Sequence, residues 1–369
     1  MKHDSETPAR REFLWTLGGG ALALALAGRG WSAGTKPMRG LFPIAQSPVT
    51  QDDKLDLECL TNQVKFCNRY KVHGIAWPQI ASGWSTLSEK ERLDGAEAML
   101  ATNKGGTTAL VIGVQDKDRN LDKSIAYAKH AARNGADGII SLPPEKADDK
   151  AMIEYYKAIG QATDLPLIVQ SRGTVSVDLM VQLFQQIPTM KATKDEVGNI
   201  MERAPQLIER TGNKLAVWSA GGGTGDQLLE KMQLGIVGLC PTPQYAELLQ
   251  QVMELEWAGK KSAAFDMYAR VQTFAAIPGA TGYMMVARGV FPEGTKSRPQ
   301  PMEAEAQRAG APAGGDLGGA GGRAGGGGRP GGGAGAGGGG GRGGAPITDK
   351  QKEYIRYAID TYLKPYFRG

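Results

Sequence analysis

A lysine near the end of a short apolar segment is the residue of this chain best suited to covalent chemistry. The segment covers residues 190–196 (MKATKDE) and is predicted to form a β-strand that ends on Lys194. Side chains alternate between the two faces of a strand, so Lys194 is expected to share a face with Met190 and Ala192. If that face lines a barrel, Lys194 reaches the mouth, where partial desolvation leaves an amine that can attack carbonyl carbons. From its position alone, the alternative is a solvated or paired lysine.

Other residue types that support catalysis are few and scattered. The 369 residues include three histidines and three cysteines, and their spacing predicts no transition-metal cluster. Asp195 and Glu196 are adjacent and face opposite sides of the strand, which argues against a two-carboxylate glycosidase pair. His73 precedes a predicted strand and is expected to form local hydrogen bonds. A glycine run at 221–225 is predicted to be a tight loop, since Asp226 follows where a dinucleotide fingerprint needs a small residue. No metal or cofactor is predicted.

Alternating strand-like and helix-like segments must position Lys194. Short continuous apolar runs separated by amphipathic stretches imply a parallel sheet that is covered by helices on both faces. Eight such units close naturally into a (β/α)8 TIM barrel, an α/β fold whose chemistry lies on the loops after the strands. An open doubly wound sheet is the structural alternative. The eight predicted strands cover residues 40–45, 74–78, 109–114, 138–142, 165–170, 190–194, 215–219 and 236–240.

Additional C-terminal helices follow the eighth unit. Helical patterns at 245–257, 262–274 and 280–290 precede a segment at 309–345 that is mostly glycine. Such a segment cannot bury enough apolar surface to offset its ordering entropy, so it is predicted to be a disordered insertion. A last amphipathic helix is predicted within 346–369, so one domain covers 38–308 and 346–369. The formal net charge of +5 is small and spread out, which argues against a nucleic-acid partner.

Residues 1–33 have the pattern of an export leader. Arg10 and Arg11 precede a short apolar run at 21–27 and a small-residue site, so cleavage is predicted near residue 27. The paired arginines indicate the twin-arginine type, although Ala9 stands where Ser or Thr is usual. The apolar run is short for a bilayer span, and an uncleaved anchor is the alternative. The expected location is periplasmic or secreted, with no membrane attachment after cleavage.

Local phrases of the chain resemble the dihydrodipicolinate synthase and N-acetylneuraminate lyase family. Residues 194–199 (KDEVGN) are similar to that family's lysine strand and its following Gly-Asn, and 232–235 (MQLG) to the helix before strand eight. The segment 155–159 (YYKAI) resembles the part that leads into strand five. The resemblance covers roughly 38–291 and the final helix. It implies a class I aldolase-type barrel with extra C-terminal helices, commonly assembled as a homodimer or homotetramer.

The resemblance also implies a mechanism and site residues. In the family, the strand lysine, here Lys194, forms a Schiff base with pyruvate or another 2-keto acid, a tyrosine relays protons, and paired threonines help to bind the carboxylate. Here the tyrosine position holds Gln170, which can hydrogen-bond but cannot exchange a proton at useful pH. The threonine loop instead contains Ser82 and Gly83, although backbone amides there can hold an anion. The imine itself is the electron sink, so no cofactor is implied.

Two further residues complete the predicted site. Glu145, in a Pro-Pro-Glu segment after strand four, is the candidate proton-transfer group, because a carboxyl group near an apolar mouth can titrate in the working range. Arg172, just after strand five, is predicted to pair with a substrate carboxylate through its planar guanidinium. The preferred function is lyase or aldolase action on a 2-keto acid. The alternatives are a barrel that binds a small acid or sugar-like ligand without catalysis, in which Lys194 is a charge partner, and an interaction scaffold.

Overall fold

A computed structural model of the chain describes residues 36–118, 120–144, 147–173, 175–298 and 347–368. The predicted leader at 1–33 and the predicted glycine-rich insertion at 309–345 lie outside these residues, as does Glu145. Across the described ranges, no helix is both long enough and apolar enough to cross a membrane.

Eight parallel strands form the barrel that the sequence pattern predicts. Each strand pairs with its neighbour in the chain from β2 to β8, and β8 pairs with β1. The wall closes just beyond the end of β1, where Ile44 forms a parallel bridge with Ala76 of β2. An open doubly wound sheet is thereby excluded. The strands are β1 Gly40–Leu41, β2 Gly74–Trp77, β3 Ala109–Gly113, β4 Gly138–Ser141, β5 Leu167–Ser171, β6 Met190–Asp195, β7 Ala216–Ala220 and β8 Gly238–Cys240.

Helices cover the outside of the barrel, as the strand and helix alternation predicts. Ser88 and Glu91 form a capping box at the start of the second helix, which satisfies backbone N–H groups there. The helices between strands are α1 Leu57–Arg69, α2 Glu89–Thr102, α3 Leu121–Arg133, α4 Asp149–Gln161, α5 Val177–Gln186, α6 Ile200–Arg210 and α7 Leu228–Gln233. After the barrel come α8 Ala246–Trp257, α9 Lys261–Ala275, α10 Ala280–Ala287 and α11 Asp349–Ala358.

The strand β6 separates an inner and an outer hydrophobic core. Ala192 packs in the core inside the barrel, so Lys194, two residues later, also points inward. Met190 packs in the outer core between strands and helices, which corrects the expectation that it shares a face with Ala192 and Lys194. The reason is a register shift: successive residues of β5 pair with Met190 and Ala192, so Lys191 is an extra residue in β6.

Two stacked aromatic rings fill the inside of the barrel. Phe42 and Trp218 lie with ring centroids 4.3 Å apart, and the Trp218 indole N–H donates to the carbonyl oxygen of Met38 at 2.9 Å. Glycines make room for the rings, because a Cβ at Gly74 would overlap Phe42 and one at Gly238 would overlap Trp218. The barrel is therefore a packed core, and a ligand must bind at its mouth.

A buried ion pair ties the C-terminal helices to the barrel domain. Glu247 of α8 and Arg288, just after α10, contact each other with both side chains almost fully buried. The Arg288 guanidinium also lies 4.7 Å from the ring centroid of Phe66 on α1 and 3.9 Å from that of Phe367. Ile355 of α11 packs in the main hydrophobic core. The last described helix therefore belongs to the same packed unit as the barrel.

Candidate active site

A cavity of about 650 Å³ opens at the carboxyl ends of the strands. Strand β6 brings Lys194 into its wall, with only 5% of the side chain exposed. Cys240 at the end of β8 and Ser219 near the end of β7 line the same cavity. In barrels of this architecture the catalytic groups lie at this end. The predicted amine is therefore placed at the expected mouth.

Lys194 forms an ion pair with the carboxylate two residues further along the chain. Its Nζ lies 3.0 Å from Glu196 Oε1, and the Glu196 side chain is 19% exposed. Residues two apart in an extended segment share a face, which explains the contact. The other carboxylate oxygen, Oε2, accepts a hydrogen bond from the Gln170 side-chain amide on β5. The Glu196 carboxylate thus lies between the Gln170 side-chain amide and the Lys194 side chain and contacts both.

Opposing effects set the pKa of Glu196. Burial raises it, whereas the charge of Lys194, hydrogen bonds from Gln170 and Lys194, and the charge of Arg172 lower it. The lowering effects prevail, so the pKa of Glu196 lies below the ordinary glutamate value. At neutral pH the resting site therefore holds an ionised carboxylate against the Lys194 amine.

Gln170 contacts the site through Glu196. Its side chain is fully buried, and its backbone lies in register with Lys194 on the neighbouring strand. The Gln170 carbonyl oxygen accepts a hydrogen bond from the Tyr156 hydroxyl at 3.3 Å. A side-chain amide cannot exchange a proton at useful pH, so this geometry suits Gln170 to orienting the carboxylate. The direct catalytic role given to Gln170 from the sequence stays a prediction.

The loop after β2 contains Ser82 and Gly83, the predicted anion-binding residues. The Ser82 hydroxyl donates to the Ala45 carbonyl at 2.6 Å and accepts from the backbone N–H of Gln79 at 3.1 Å. The backbone N–H groups of Ser82 and Gly83 donate to carbonyl groups three residues earlier, both at 2.9 Å. The adjacent Ala81 lines the cavity. Because these donors are used within the loop, its geometry does not favour anion binding, and that role stays a prediction.

Arg172 lies in the cavity wall, whereas Asp195 is paired with an arginine of the following helix. Arg172 lines the cavity, so it remains a candidate for binding a substrate carboxylate. Asp195 pairs with Arg203 of α6, whose Nε lies 2.9 Å from its Oδ2, and thereby ties β6 to its following helix. Among the described residues, the carboxylate that contacts Lys194 is that of Glu196. The role predicted for Glu145 stays untested, because Glu145 lies outside the described residues.

Two residues of the cavity wall do not follow from the sequence pattern. Lys231 of α7 is 5% exposed, and its Nζ donates to the carbonyl groups of Ala220 and Asp226 at 2.9 and 2.7 Å. Burial lowers the pKa of Lys231. Thr242, after β8, is 6% exposed, and its hydroxyl has no hydrogen-bond partner within the described structure. The only sequence signal for Lys231 is its place after a glycine-rich loop, and Thr242 carries none.

Comparisons with known proteins show which sequences this chain resembles. Residues 37–289 match the model of the Dihydrodipicolinate synthetase family. The 4-hydroxy-tetrahydrodipicolinate synthase of Methanosarcina mazei is 27% identical over 179 residues, which are 47% of this chain and 59% of that protein. The chain thus spans about three fifths of the length of such curated relatives.

Solved structures show the same fold. Dihydrodipicolinate synthase from Rhodopseudomonas palustris gives a TM-score of 0.63 at 18% identity, covering 88% of this chain and 98% of that one. N-acetylneuraminate lyase from Mycoplasma synoviae gives the same TM-score, identity and coverage. At these identities the likeness concerns the fold, and the chemistry must be argued from the residues of the mouth.

Proposed function

Because the chain belongs to the dihydrodipicolinate synthetase family, we propose that it is a class I aldolase-type lyase that acts on a 2-keto acid through a Schiff base on Lys194. The observation that carries the proposal is the position of this amine. Lys194 is nearly buried, points to the inside of β6 and lines the cavity at the carboxyl ends of the strands. The relatives described above are a synthase and a lyase by name, which supports this reaction class.

The proposed reaction uses the Lys194 nitrogen as the nucleophile. Its lone pair attacks the keto carbon, a C–N bond forms, and the carbonyl oxygen leaves as water to give a C=N bond. The protonated imine then accepts the electron pair of the carbon–carbon bond that breaks one carbon away, which produces an enamine. The carbon that loses this pair becomes an aldehyde carbonyl as its hydroxyl group gives up a proton. The same steps in reverse join two carbons. Since the imine is the electron sink, the chemistry requires no cofactor.

The cavity suits a small anionic substrate. Its volume of about 650 Å³ lies within the range of small-molecule sites, roughly 300–1,000 Å³. Arg172 and Lys231 both line it, and guanidinium and ammonium groups are suitable donors to a carboxylate. Thr242 adds a buried hydroxyl for a polar substituent of the substrate.

A non-catalytic binding barrel is the second candidate function, and the pairing of Lys194 favours it. The amine contacts an ionised Glu196, and a charge partner of this kind is what a structural lysine requires. Such a protein would bind a small acid or a sugar-like ligand without forming an imine.

Export and self-association belong to the same proposal. The paired Arg10 and Arg11 support a twin-arginine leader that delivers the protein to the periplasm or the medium, and the family resemblance supports a homodimer or homotetramer. Replacement of both arginines by lysine is expected to abolish export, and light scattering of the purified protein to give a multiple of the chain mass. Export that survives the replacement, or a monomer, would contradict the respective part.

Reductive trapping tests the lyase proposal directly. The protein is incubated with pyruvate and a panel of other 2-keto acids, reduced with borohydride, and analysed by intact mass and peptide mapping. We expect a covalent adduct on Lys194. Lys194→Arg is the matched negative variant, because it keeps a cation beside Glu196 but forms no imine. Lys191→Ala removes a lysine from the same strand and should leave the adduct unchanged.

An absence of adduct with every keto acid, in protein shown to be folded by circular dichroism, would refute the lyase. Saturable ligand binding in the same samples would then support the binding barrel. An adduct on another lysine would refute the assignment of Lys194.

A further inference from the structure

Imine formation requires proton transfer at the Lys194 nitrogen, and the described contacts supply one group for it. An ammonium must lose a proton before it can attack, and the carbonyl oxygen must gain protons before it can leave as water. Glu196 Oε1 lies 3.0 Å from Lys194 Nζ, which is within hydrogen-bond reach for direct transfer. Gln170, at the position expected to relay protons, cannot do so.

We propose that Glu196 is the proton-transfer residue of this active site, which removes a proton from Lys194 and returns it to the departing oxygen. The inference rests on the proposed function, since it assigns a residue to the same imine chemistry. It assigns the acid–base role predicted for Glu145 to Glu196, a carboxylate that contacts the reacting nitrogen.

The step balances without any co-reactant. Glu196 takes one proton from the Lys194 ammonium, and the free lone pair forms the C–N bond while the carbonyl π electrons move to oxygen. That oxygen takes up the proton from Glu196 and a second proton from the nitrogen, also through Glu196. The C–O bond then breaks with loss of water and the nitrogen lone pair forms C=N. The ammonium and the ketone become a protonated imine and water, and Glu196 ends as the carboxylate.

Other groups near Lys194 are less suited to this role. Asp195 is paired with Arg203. Burial raises the pKa of the Cys240 thiol to about 12, so the thiol keeps its proton at working pH. The Arg172 guanidinium offers hydrogen-bond donors and no acceptor. Asp226 and Lys231 also line the cavity, and Lys231 Nζ donates to two backbone carbonyl groups.

Gln170 acts as a positioning residue for Glu196. Its amide donates to Oε2, which leaves Oε1 directed at the amine. Because Gln170 is fully buried on β5, its rotation is restricted by packing. The amide thereby holds the carboxylate in a single orientation relative to Lys194 and to a carbonyl carbon bound there.

The rate of imine formation in Glu196→Gln tests the assignment, measured by rapid-quench borohydride trapping of single turnovers. We expect the rate to fall by about 10²- to 10⁴-fold, the usual contribution of general acid–base catalysis, while adduct still accumulates on Lys194 at long times. The sign of the effect is diagnostic. If Glu196 only held Lys194 in its ammonium form, its removal would free the amine and accelerate trapping.

Chemical rescue adds a readout that a structural role would not move. In Glu196→Ala, added formate or acetate should restore part of the rate of imine formation, because a small carboxylate can occupy the space of the missing side chain. Glu196→Asp keeps the charge and tests sensitivity to position if the other variants unfold. Glu209→Gln removes an exposed carboxylate of α6 and should leave the rate unchanged.

Three results separate this inference from the proposed function. Slow trapping in Glu196→Gln with carboxylate rescue in Glu196→Ala supports both. Normal or faster trapping in Glu196→Gln, with an adduct on wild-type Lys194, overturns the role of Glu196 and leaves the lyase intact. No adduct in wild-type protein refutes the lyase, and with it the role of Glu196.

Discussion

A neutral histidine at the amino-terminal end of β2 should make the stability of this protein depend on pH. His73 Nδ1 accepts the backbone N–H of Leu41 at 3.2 Å, so protonation of that nitrogen would break the hydrogen bond. Burial lowers the pKa of His73 to about 4, with help from Arg39 and Arg368 and against the charge of Glu254. Although His73 Nε2 lies 3.8 Å from Glu254, the ring is neutral at pH 7 and the contact is not an ion pair.

The magnitude follows from the difference between the two pKa values. In the unfolded chain His73 titrates near pH 6.5, so between pH 6.5 and 4 the unfolded state binds a proton that the folded state does not. This contribution to stability is complete above pH 6.5 and is lost as the pH falls towards 4. At about 1.4 kcal/mol per pKa unit, the loss is at most about 3.5 kcal/mol, of which about 2.5 kcal/mol has appeared by pH 4.5.

The variant His73→Asn removes the titration but keeps an acceptor for Leu41, since Oδ1 of asparagine can occupy the position of Nδ1. We expect the free energy of unfolding of the wild type to fall, relative to that of the variant, by about 2.5 kcal/mol between pH 7 and pH 4.5. Urea titrations followed by circular dichroism measure this difference. His130→Asn, at a partly buried position on α3 beside Glu97, is the comparison variant for loss of a histidine elsewhere. Parallel curves for wild type and His73→Asn would refute the argument.

Three further predictions concern the site and the core. Arg172→Ala should raise KM for a 2-keto acid by about 10- to 100-fold with trapping at Lys194 retained, and an unchanged KM would remove Arg172 from carboxylate binding. Gly238→Ala should lower the free energy of unfolding by roughly 1–3 kcal/mol, because its Cβ would overlap Trp218. Gly282→Ala, on α10 with open space around it, should instead stabilise by up to about 1 kcal/mol, and equal effects would contradict the packing argument. Arg288→Met should lower the free energy of unfolding by about 3–5 kcal/mol, because it leaves Glu247 buried without its partner. Adding Glu247→Gln should recover much of that loss, and no recovery would show that lost packing dominates.

The barrel could be predicted from the sequence because its signal is repeated and local. Each buried parallel strand is a short continuous apolar run, and eight such runs between helices leave few other folds. Most strand limits moved by a residue or two, as for 165–170, where β5 is Leu167–Ser171. The first strand is shorter than predicted, since 40–45 is reduced to Gly40–Leu41. The extra residue Lys191 could not be predicted, because a register shift is set by pairing between strands. That shift is why Met190 faces the outer core.

The site could be predicted only in part, since sequence spacing describes one strand at a time. The inward direction of Lys194 and its proximity to Glu196 both follow from the period of two along an extended segment. The contact between Glu196 and Gln170 joins two strands, and the contribution of Lys231 depends on the closure of the barrel. The predicted anion binding at Ser82 and Gly83 likewise depends on contacts that the sequence does not show, since both backbone N–H groups donate within their own loop.

The residues that determine the fold of this barrel differ from those that determine its chemistry. Considered alone, Gln170 indicates an active site that cannot relay protons, and it favours a binding protein. Considered with Glu196, the same amide orients a carboxylate that contacts the Lys194 amine. The group able to exchange protons then lies at the end of β6 instead of β5. Gln170 alone therefore favours loss of catalysis. Its contact with Glu196 favours a lyase in which a residue after β6 transfers the protons.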